Sequence, residues 1–129
     1  MATIKSYTDI EQSKKLAEIL PLESADMFYD GVQDLYKEKV YNIPTDGSSI
    51  TVRTGHVITD KGIKANLLLP CWSLTALLSI IPNYKLSSEH NYHSCAAETP
   101  FGKETVAWFD NPIDACVAMI EKLHELNLL

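Results

Sequence analysis

The sequence has little of what several protein classes require. Its 129 residues include one arginine, Arg53, and ten lysines against 17 acidic residues, and the formal net charge is −6. Duplex nucleic acid is bound by clustered basic side chains that neutralise phosphates, so the charge balance excludes a nucleic-acid partner. No run of residues approaches the about 20 apolar positions that a membrane-spanning helix needs, and we expect no membrane anchor.

Cysteine is scarce as well. Cys71, Cys95 and Cys116 cannot all pair within one chain and show no C-x-x-C spacing. Neither a disulfide framework nor a cysteine zinc cage is therefore predicted. The first residues also lack the apolar stretch, about 7–15 residues long, of a secretory signal. These features favour a protein of the reducing cytoplasm.

Motifs that bind nucleotides or assemble a hydrolytic site are missing too. The sequence contains no GxGxxG, GxxxxGK[ST], GxSxG or HExxH pattern, and we expect no cofactor and no resident metal. The five glycines are placed like turn or bulge residues. An enzyme is thus the less favoured class.

The chain does have enough apolar content for a core. Hydrophobic residues make up 46% of it, and a chain of this length normally folds as one domain, which we place over residues 1–129. Thr8 and Glu11 have capping-box spacing, which predicts an N-terminal helix that ends at Pro21.

Two further helices are predicted from apolar spacing and proline. Apolar residues recur at helical spacing over residues 74–81, which predicts a short, buried central helix. Asn111 and Pro112 predict the start of a C-terminal helix, because Asn is a preferred N-cap and Pro suits the first helical position.

Strand signals occupy two regions. Turn dipeptides and alternating apolar residues predict a three-stranded meander over residues 40–69. Residues 90–96 and 103–109 predict two more strands, joined around residues 100–102. The remaining segments are predicted to be a helical turn (22–30), helix or strand (32–39) and loop (83–88).

These elements predict an α+β fold. We expect an antiparallel sheet of four to five strands, with the N-terminal helix, the short buried central helix and the C-terminal helix packed on it. The order of the strands stays open.

Three stretches of the sequence carry a resemblance. They are EQSKKLAEILP (residues 11–21) with SADM (24–27), PCWSLTALL (70–78) and NPIDACVAMIEKL (111–123). In these the chain resembles small uncharacterised proteins of gut Bacteroides-type bacteria that are often associated with prophages or other mobile elements. The resemblance implies a source and carries no catalytic motif.

A thiol beside an imidazole is the arrangement most able to carry chemistry. Cys71 precedes the central helix, whose dipole favours a thiolate, and Cys95 lies two residues from His93. With His90 or His93 as general base, either thiol could attack an acyl group. The competing interpretation is a packed thiol, because Cys is among the most buried residue types.

His90, His93 and Cys95 would also suit zinc by residue type. Alternation along a strand turns His90 away from the other two side chains, and no fourth ligand is evident. No metal site is predicted.

Large aromatic residues are the candidates for an interface: Trp72, Trp108 and Phe109. Alternation places Trp108 with Val106 on one face of a strand and Phe109 with Ala107 on the other. One of the two rings then exceeds what a single core needs and is covered by a helix of the chain or by a partner subunit.

The leading functional hypothesis is a non-catalytic cytoplasmic binding or accessory protein that acts through a protein partner or through self-association. The first alternative is a small Cys/His-dependent hydrolase or transferase. The second alternative is an acidic inhibitor that mimics nucleic acid, which needs a regular exposed stripe of carboxylates.

Overall fold

The computed structural model of the protein describes residues 5–30, 33–35, 40–42, 50–55 and 68–129. These residues form an α+β protein of helices and antiparallel sheets, as predicted. They group into two compact units. We call residues 9–72 the N-terminal unit, and residues 5–8 with 73–129 the C-terminal unit. The single domain over residues 1–129 stays a prediction.

The N-terminal unit begins with helix α1 (Ile10–Ile19), whose cap differs from the predicted one. The carboxylate of Asp9 accepts a hydrogen bond from the backbone N–H of Gln12, and the Gln12 side chain accepts one from the backbone N–H of Asp9. The predicted helix is confirmed, but Thr8 with Glu11 as its capping box is wrong. Asp is preferred to Thr as an N-cap, which explains the shift by one residue.

The described residues of this unit then form five strands: β1 (Met27–Asp30), β2 (Gln33–Leu35), β3 (Val40–Asn42), β4 (Thr51–Thr54) and β5 (Leu68–Cys71). β1 is the central strand of an antiparallel sheet with the order β4-β1-β5, and β2 pairs with β3. The segment predicted to be a helical turn is a short 3₁₀ turn (Leu22–Ser24) followed by β1.

The pairing of the predicted meander over residues 40–69 is wrong. β4 and β5 each pair with β1 and not with each other. Pro70, one residue beyond the predicted meander, lies inside β5, because an edge strand of a sheet accommodates proline. Residues 43–49 and 56–67 of the predicted meander lie outside the described residues.

Trp72 lies in the core of the N-terminal unit. Its side chain is fully buried, with 0% of its surface exposed. Its Nε1–H donates a hydrogen bond of 3.0 Å to Oγ of Ser24, and the Ser24 hydroxyl donates one of 2.6 Å to the carbonyl of Pro21. The indole is thereby fixed to the turn that connects α1 with β1. This interface candidate is a core residue.

The C-terminal unit contains two helices and a second sheet. Its elements are helix α2 (Leu74–Ile80), strands β6 (Lys85–Glu89), β7 (Tyr92–Thr99) and β8 (Gly102–Phe109), and helix α3 (Pro112–Glu125). The strands form an antiparallel sheet in the order β6-β7-β8. The β7–β8 hairpin confirms the prediction, whereas the loop predicted over residues 83–88 is wrong. β6 reads KLSSE, and one apolar residue in five gives no alternation to detect.

Helix α2 confirms the position of the predicted central helix. The helix was predicted to be buried, and it is buried on one side only. Ser73 is its N-cap and accepts a hydrogen bond from the backbone N–H of Ala76. Ala76 and Leu77 are buried, whereas Thr75 and Ser79 are exposed. The helix packs against α3.

Helix α3 confirms the strongest sequence signal. Asn111 is its N-cap: Oδ1 accepts a hydrogen bond of 2.9 Å from the backbone N–H of Asp114. Lys5 and Asp114 form an ion pair of 2.9 Å at the same end of the helix. Its buried face includes Ile113, Cys116, Val117, Ile120 and Leu123.

Helix α3 covers one face of the second sheet, as predicted for the C-terminal helix. It packs against β7 and β8, and Lys122 forms an ion pair of 3.2 Å with Glu104 on β8. The single sheet of four to five strands is not confirmed, because the described residues form two three-stranded sheets and one two-stranded pair. Among those residues no helix is both long and apolar enough to cross a bilayer.

Candidate functional site

The three thiols lie inside the protein. Cys71 ends β5 in the N-terminal unit, whereas Cys95 on β7 and Cys116 on α3 belong to the C-terminal unit. All three are fully buried, and none is in a disulfide. A nucleophile must reach its substrate, so burial argues against each of them as a catalytic group.

Cys95 and Cys116 contact each other across the interface between β7 and α3. A side-chain hydrogen bond from Cys116 lowers the pKa of Cys95, and burial opposes this effect. The same hydrogen bond raises the pKa of Cys116, and burial raises it further. The lowered pKa of Cys95 favours its thiolate, but a fully buried thiolate cannot reach a substrate.

The two candidate histidines sit at the β6–β7 hairpin. His90 and Asn91 form its two-residue turn, with φ angles of 51° and 67°, the positive values that this kind of turn requires. His90 is exposed, and His93 is half-buried on β7. Within the described part of the chain, no three His, Cys, Asp or Glu side chains are arranged to hold a metal ion.

A β-bulge in β8 decides which way its aromatic residues face. Cys95 pairs with Val106 and His93 pairs with Phe109, so two residues of β8 oppose one residue of β7 between these pairs. Trp108 occupies the bulge with φ of 74°. This left-handed backbone conformation is uncommon for a large side chain and costs about 1–2 kcal/mol.

The bulge overturns the predicted alternation. Residues that oppose each other in antiparallel strands project to the same face. Phe109 and Val106 therefore share the face of Cys95, which carries α3, and Phe109 is half-buried there. The placement of Trp108 with Val106 is wrong, because the extra residue in β8 leaves the indole on the opposite face, where it is exposed.

Trp108 and Tyr92 form an exposed pair on that face, which we call the aromatic patch. Their ring centroids lie 5.5 Å apart with the planes at 68°, an edge-to-face arrangement. Trp108 is 76% exposed and Tyr92 is 44% exposed. Sequence reasoning named Trp108 but missed Tyr92; a tyrosine directly after a two-residue turn, opposite the end of β8, was the available signal.

A shallow depression of about 180 Å³ lies beside the patch. Its lining includes Ser87, Glu89 and His90 together with the two rings. Small-molecule sites usually enclose about 300–1,000 Å³. The depression is therefore better matched to a single side chain of another protein than to a metabolite.

No protein-family model matches the chain, and no curated protein or solved structure is similar to it.

The backbone strain at Trp108 gives a stability prediction. We expect Trp108→Gly to be more stable than Trp108→Ala by about 1 kcal/mol, because both remove the indole but only glycine adopts a positive φ without a steric penalty. Urea denaturation followed by circular dichroism measures the difference.

Thr105 on the same strand is the matched control. Its φ is not positive, so Thr105→Gly should be less stable than Thr105→Ala by about 0.5–1 kcal/mol. If alanine is the better residue at both positions, the strain at Trp108 is refuted.

Proposed function

We propose that the chain is a non-catalytic binding protein that docks a protein partner on the aromatic patch. The observation that carries the proposal is a tryptophan held 76% exposed by a strained backbone. Strained residues persist where the surrounding structure enforces them, and they concentrate at functional sites. The exposed indole of Trp108 costs folding stability. A partner protein that covers the indole would explain why the chain keeps it there.

The chemistry of the patch fits a protein better than other partners. Tryptophan and tyrosine are enriched among the residues that dominate protein–protein binding energies. The depression beside Trp108 has the size for one inserted side chain, and Glu89 and His90 supply a polar rim. Such an arrangement, an aromatic centre with a polar edge, is typical of a docking surface.

The two alternative functions have less support. A Cys/His enzyme needs an accessible thiol, and Cys71, Cys95 and Cys116 are fully buried. A nucleic-acid mimic needs carboxylates in a regular stripe. The exposed sheet face carries two acidic and two basic residues, and not a stripe of carboxylates: Lys85, Glu89, Glu98 and Lys103.

The proposal also includes the cellular location of the protein and the kind of cell that contains it. Three cysteines outside any disulfide support a cytoplasmic location. The resemblance to proteins of gut Bacteroides-type bacteria supports an accessory role in a cell that carries a prophage or another mobile element.

Affinity capture with paired baits tests the proposal. The tagged wild-type chain and Trp108→Ser are each incubated with a cell extract of the source organism, and bound proteins are identified by mass spectrometry. We expect one stoichiometric protein on the wild-type bait. Its dissociation constant should rise about thirtyfold or more with Trp108→Ser, the loss of a binding hot spot.

Phe101 provides the control variant. It is 70% exposed but lies in the β7–β8 turn, at the end of the hairpin away from the patch. Phe101→Ser should retain the partner. Equal capture by the wild type and Trp108→Ser, or capture of no stoichiometric protein by the wild type, would overturn the proposal.

A further inference from the structure

Strand β6 is an accessible edge of the second sheet. In the described part of the chain it pairs with β7 on one side and with no strand on the other. The side chains of Lys85, Ser87, Ser88 and Glu89 are exposed, and Leu86 is half-buried. The free side of such a strand presents backbone N–H and C=O groups that can pair with another chain.

The opposite edge of the sheet is less suited to strand addition. β8 carries the bulge and the positive φ of Trp108, and bulges twist an edge away from a regular pairing geometry. β6 has neither a bulge nor a proline, and its five pairs with β7 run without a break in register. If this sheet extends by one strand, β6 is the edge that accepts it.

The charges of β6 are self-complementary. In an antiparallel pair of two β6 strands, a two-fold axis through Ser87 puts Lys85 opposite the partner's Glu89 and Glu89 opposite the partner's Lys85. An axis through Leu86 or through Ser88 leaves the charged residues opposite serines or outside the pairing. A suitable register leaves the exposed faces of both sheets on the same side. Of the registers that do so, only the one with its axis at Ser87 places both Lys85 and Glu89 opposite an oppositely charged residue of the other β6 strand.

Neither charge is compensated across its own sheet. Lys85 lies opposite Ala96, and Glu89 lies opposite Tyr92. Glu89 Oε1 is 3.6 Å from Nε2 of His90, and both side chains are more than four-fifths exposed. Pairing with a second copy would therefore add two cross-strand ion pairs, and opposite charges in this arrangement stabilise a sheet.

We propose that a second copy of this chain is the partner of β6. The two β6 strands pair antiparallel about a two-fold axis at Ser87 and join the two sheets into one of six strands. This interface shares Ser87 and Glu89 with the edge of the depression beside the aromatic patch but includes neither Trp108 nor Tyr92, and the inference does not rest on partner docking.

Site-directed cross-linking tests the register. In Ser87→Cys the two introduced thiols face each other across the axis, at the spacing of directly opposed strand residues. We expect oxidised glutathione to convert most of this variant into a covalent dimer. Ser88→Cys is the matched control, because Ser88 faces the partner's Leu86 and its thiol has no counterpart. The native cysteines are buried, so the wild-type chain should give little dimer.

A charge swap tests the ion pairs by sedimentation equilibrium. Lys85→Glu places like charges opposite each other and should weaken the dimer about tenfold or more. Lys85→Glu combined with Glu89→Lys exchanges the two charges and should restore the wild-type dissociation constant. Trp108→Ser should leave that constant unchanged, so failure of the dimer and failure of partner docking give different results.

Three results overturn the inference. The first is a wild-type chain that stays monomeric at the highest soluble concentration. The second is equal cross-linking of Ser87→Cys and Ser88→Cys, or no cross-linking of Ser87→Cys. The third is a charge-swapped variant that dimerises no better than Lys85→Glu. Circular dichroism of each variant confirms that it is folded, as expected for substitutions at exposed positions.

Discussion

All three native thiols should react with a disulfide reagent about a thousandfold or more slowly in the folded protein than in the protein unfolded in urea. Cys71, Cys95 and Cys116 are fully buried, so the reagent reaches them only when the chain opens. Opening of a core costs a large part of the free energy of unfolding, about 5–15 kcal/mol for a domain. Absorbance at the wavelength of the released thiolate measures the rates.

Cys95 is the informative thiol in this experiment. Its lowered pKa would speed the reaction of an accessible group, so slow reaction of Cys95 isolates the effect of burial. Thr105→Cys supplies a thiol at an exposed position of β8, the strand beside the one that carries Cys95, and should react as fast as a thiol of the unfolded chain. A native cysteine that reacts as fast as the thiol introduced in that variant would favour the first alternative, the Cys/His enzyme, over the binding protein.

Trp72→Ala should lower the free energy of unfolding by about 3–5 kcal/mol, the range for removing a large aromatic side chain from a core. Trp72 is fully buried, and its Nε1–H bonds to Oγ of Ser24. The substitution leaves a cavity and removes one partner of a hydrogen bond between the end of β5 and the turn after α1. Urea denaturation followed by circular dichroism measures the loss.

Trp72→Phe separates packing from hydrogen bonding. Phenylalanine fills most of the space but cannot donate to Ser24, so the expected loss is about 1–3 kcal/mol. Losses below about 1 kcal/mol for Trp72→Ala would mean that the indole is not part of the core.

The helices were predictable from the sequence because their signals are local. Asn111 and Pro112 start α3, and apolar spacing with nearby prolines defines α2. Each signal lies within a few residues of the structure that it specifies. The cap of α1 was misplaced by one residue, since both Thr8–Glu11 and Asp9–Gln12 have suitable spacing and local chemistry alone ranks them closely.

The first sheet was harder to predict because its pairing is not local. β1 (Met27–Asp30) is only four residues long and pairs with strands that lie further along the chain. Four residues give too few repeats to establish alternation. The order β4-β1-β5 depends on contacts between distant segments, which single-sequence patterns do not encode.

The candidate site was half predictable for a related reason. Composition and alternation predicted that one aromatic ring on β8 is more than a single core needs. They did not predict the bulge that turns Phe109 toward α3 and leaves Trp108 exposed, because no glycine marks this bulge. Bulges often carry glycine at the positive φ position. With tryptophan there, sequence reasoning assumed an unbroken strand and assigned the faces incorrectly.

The two tryptophans also give each compact unit its own optical signal. Trp72, at 0% exposure, belongs to the N-terminal unit, and Trp108, at 76%, belongs to the C-terminal unit. Indole fluorescence shifts with solvent contact, so the emission of the native protein is a sum of one shielded and one water-exposed fluorophore. A soluble quencher selects the second, and replacing either residue by phenylalanine leaves a spectrum that follows one unit alone.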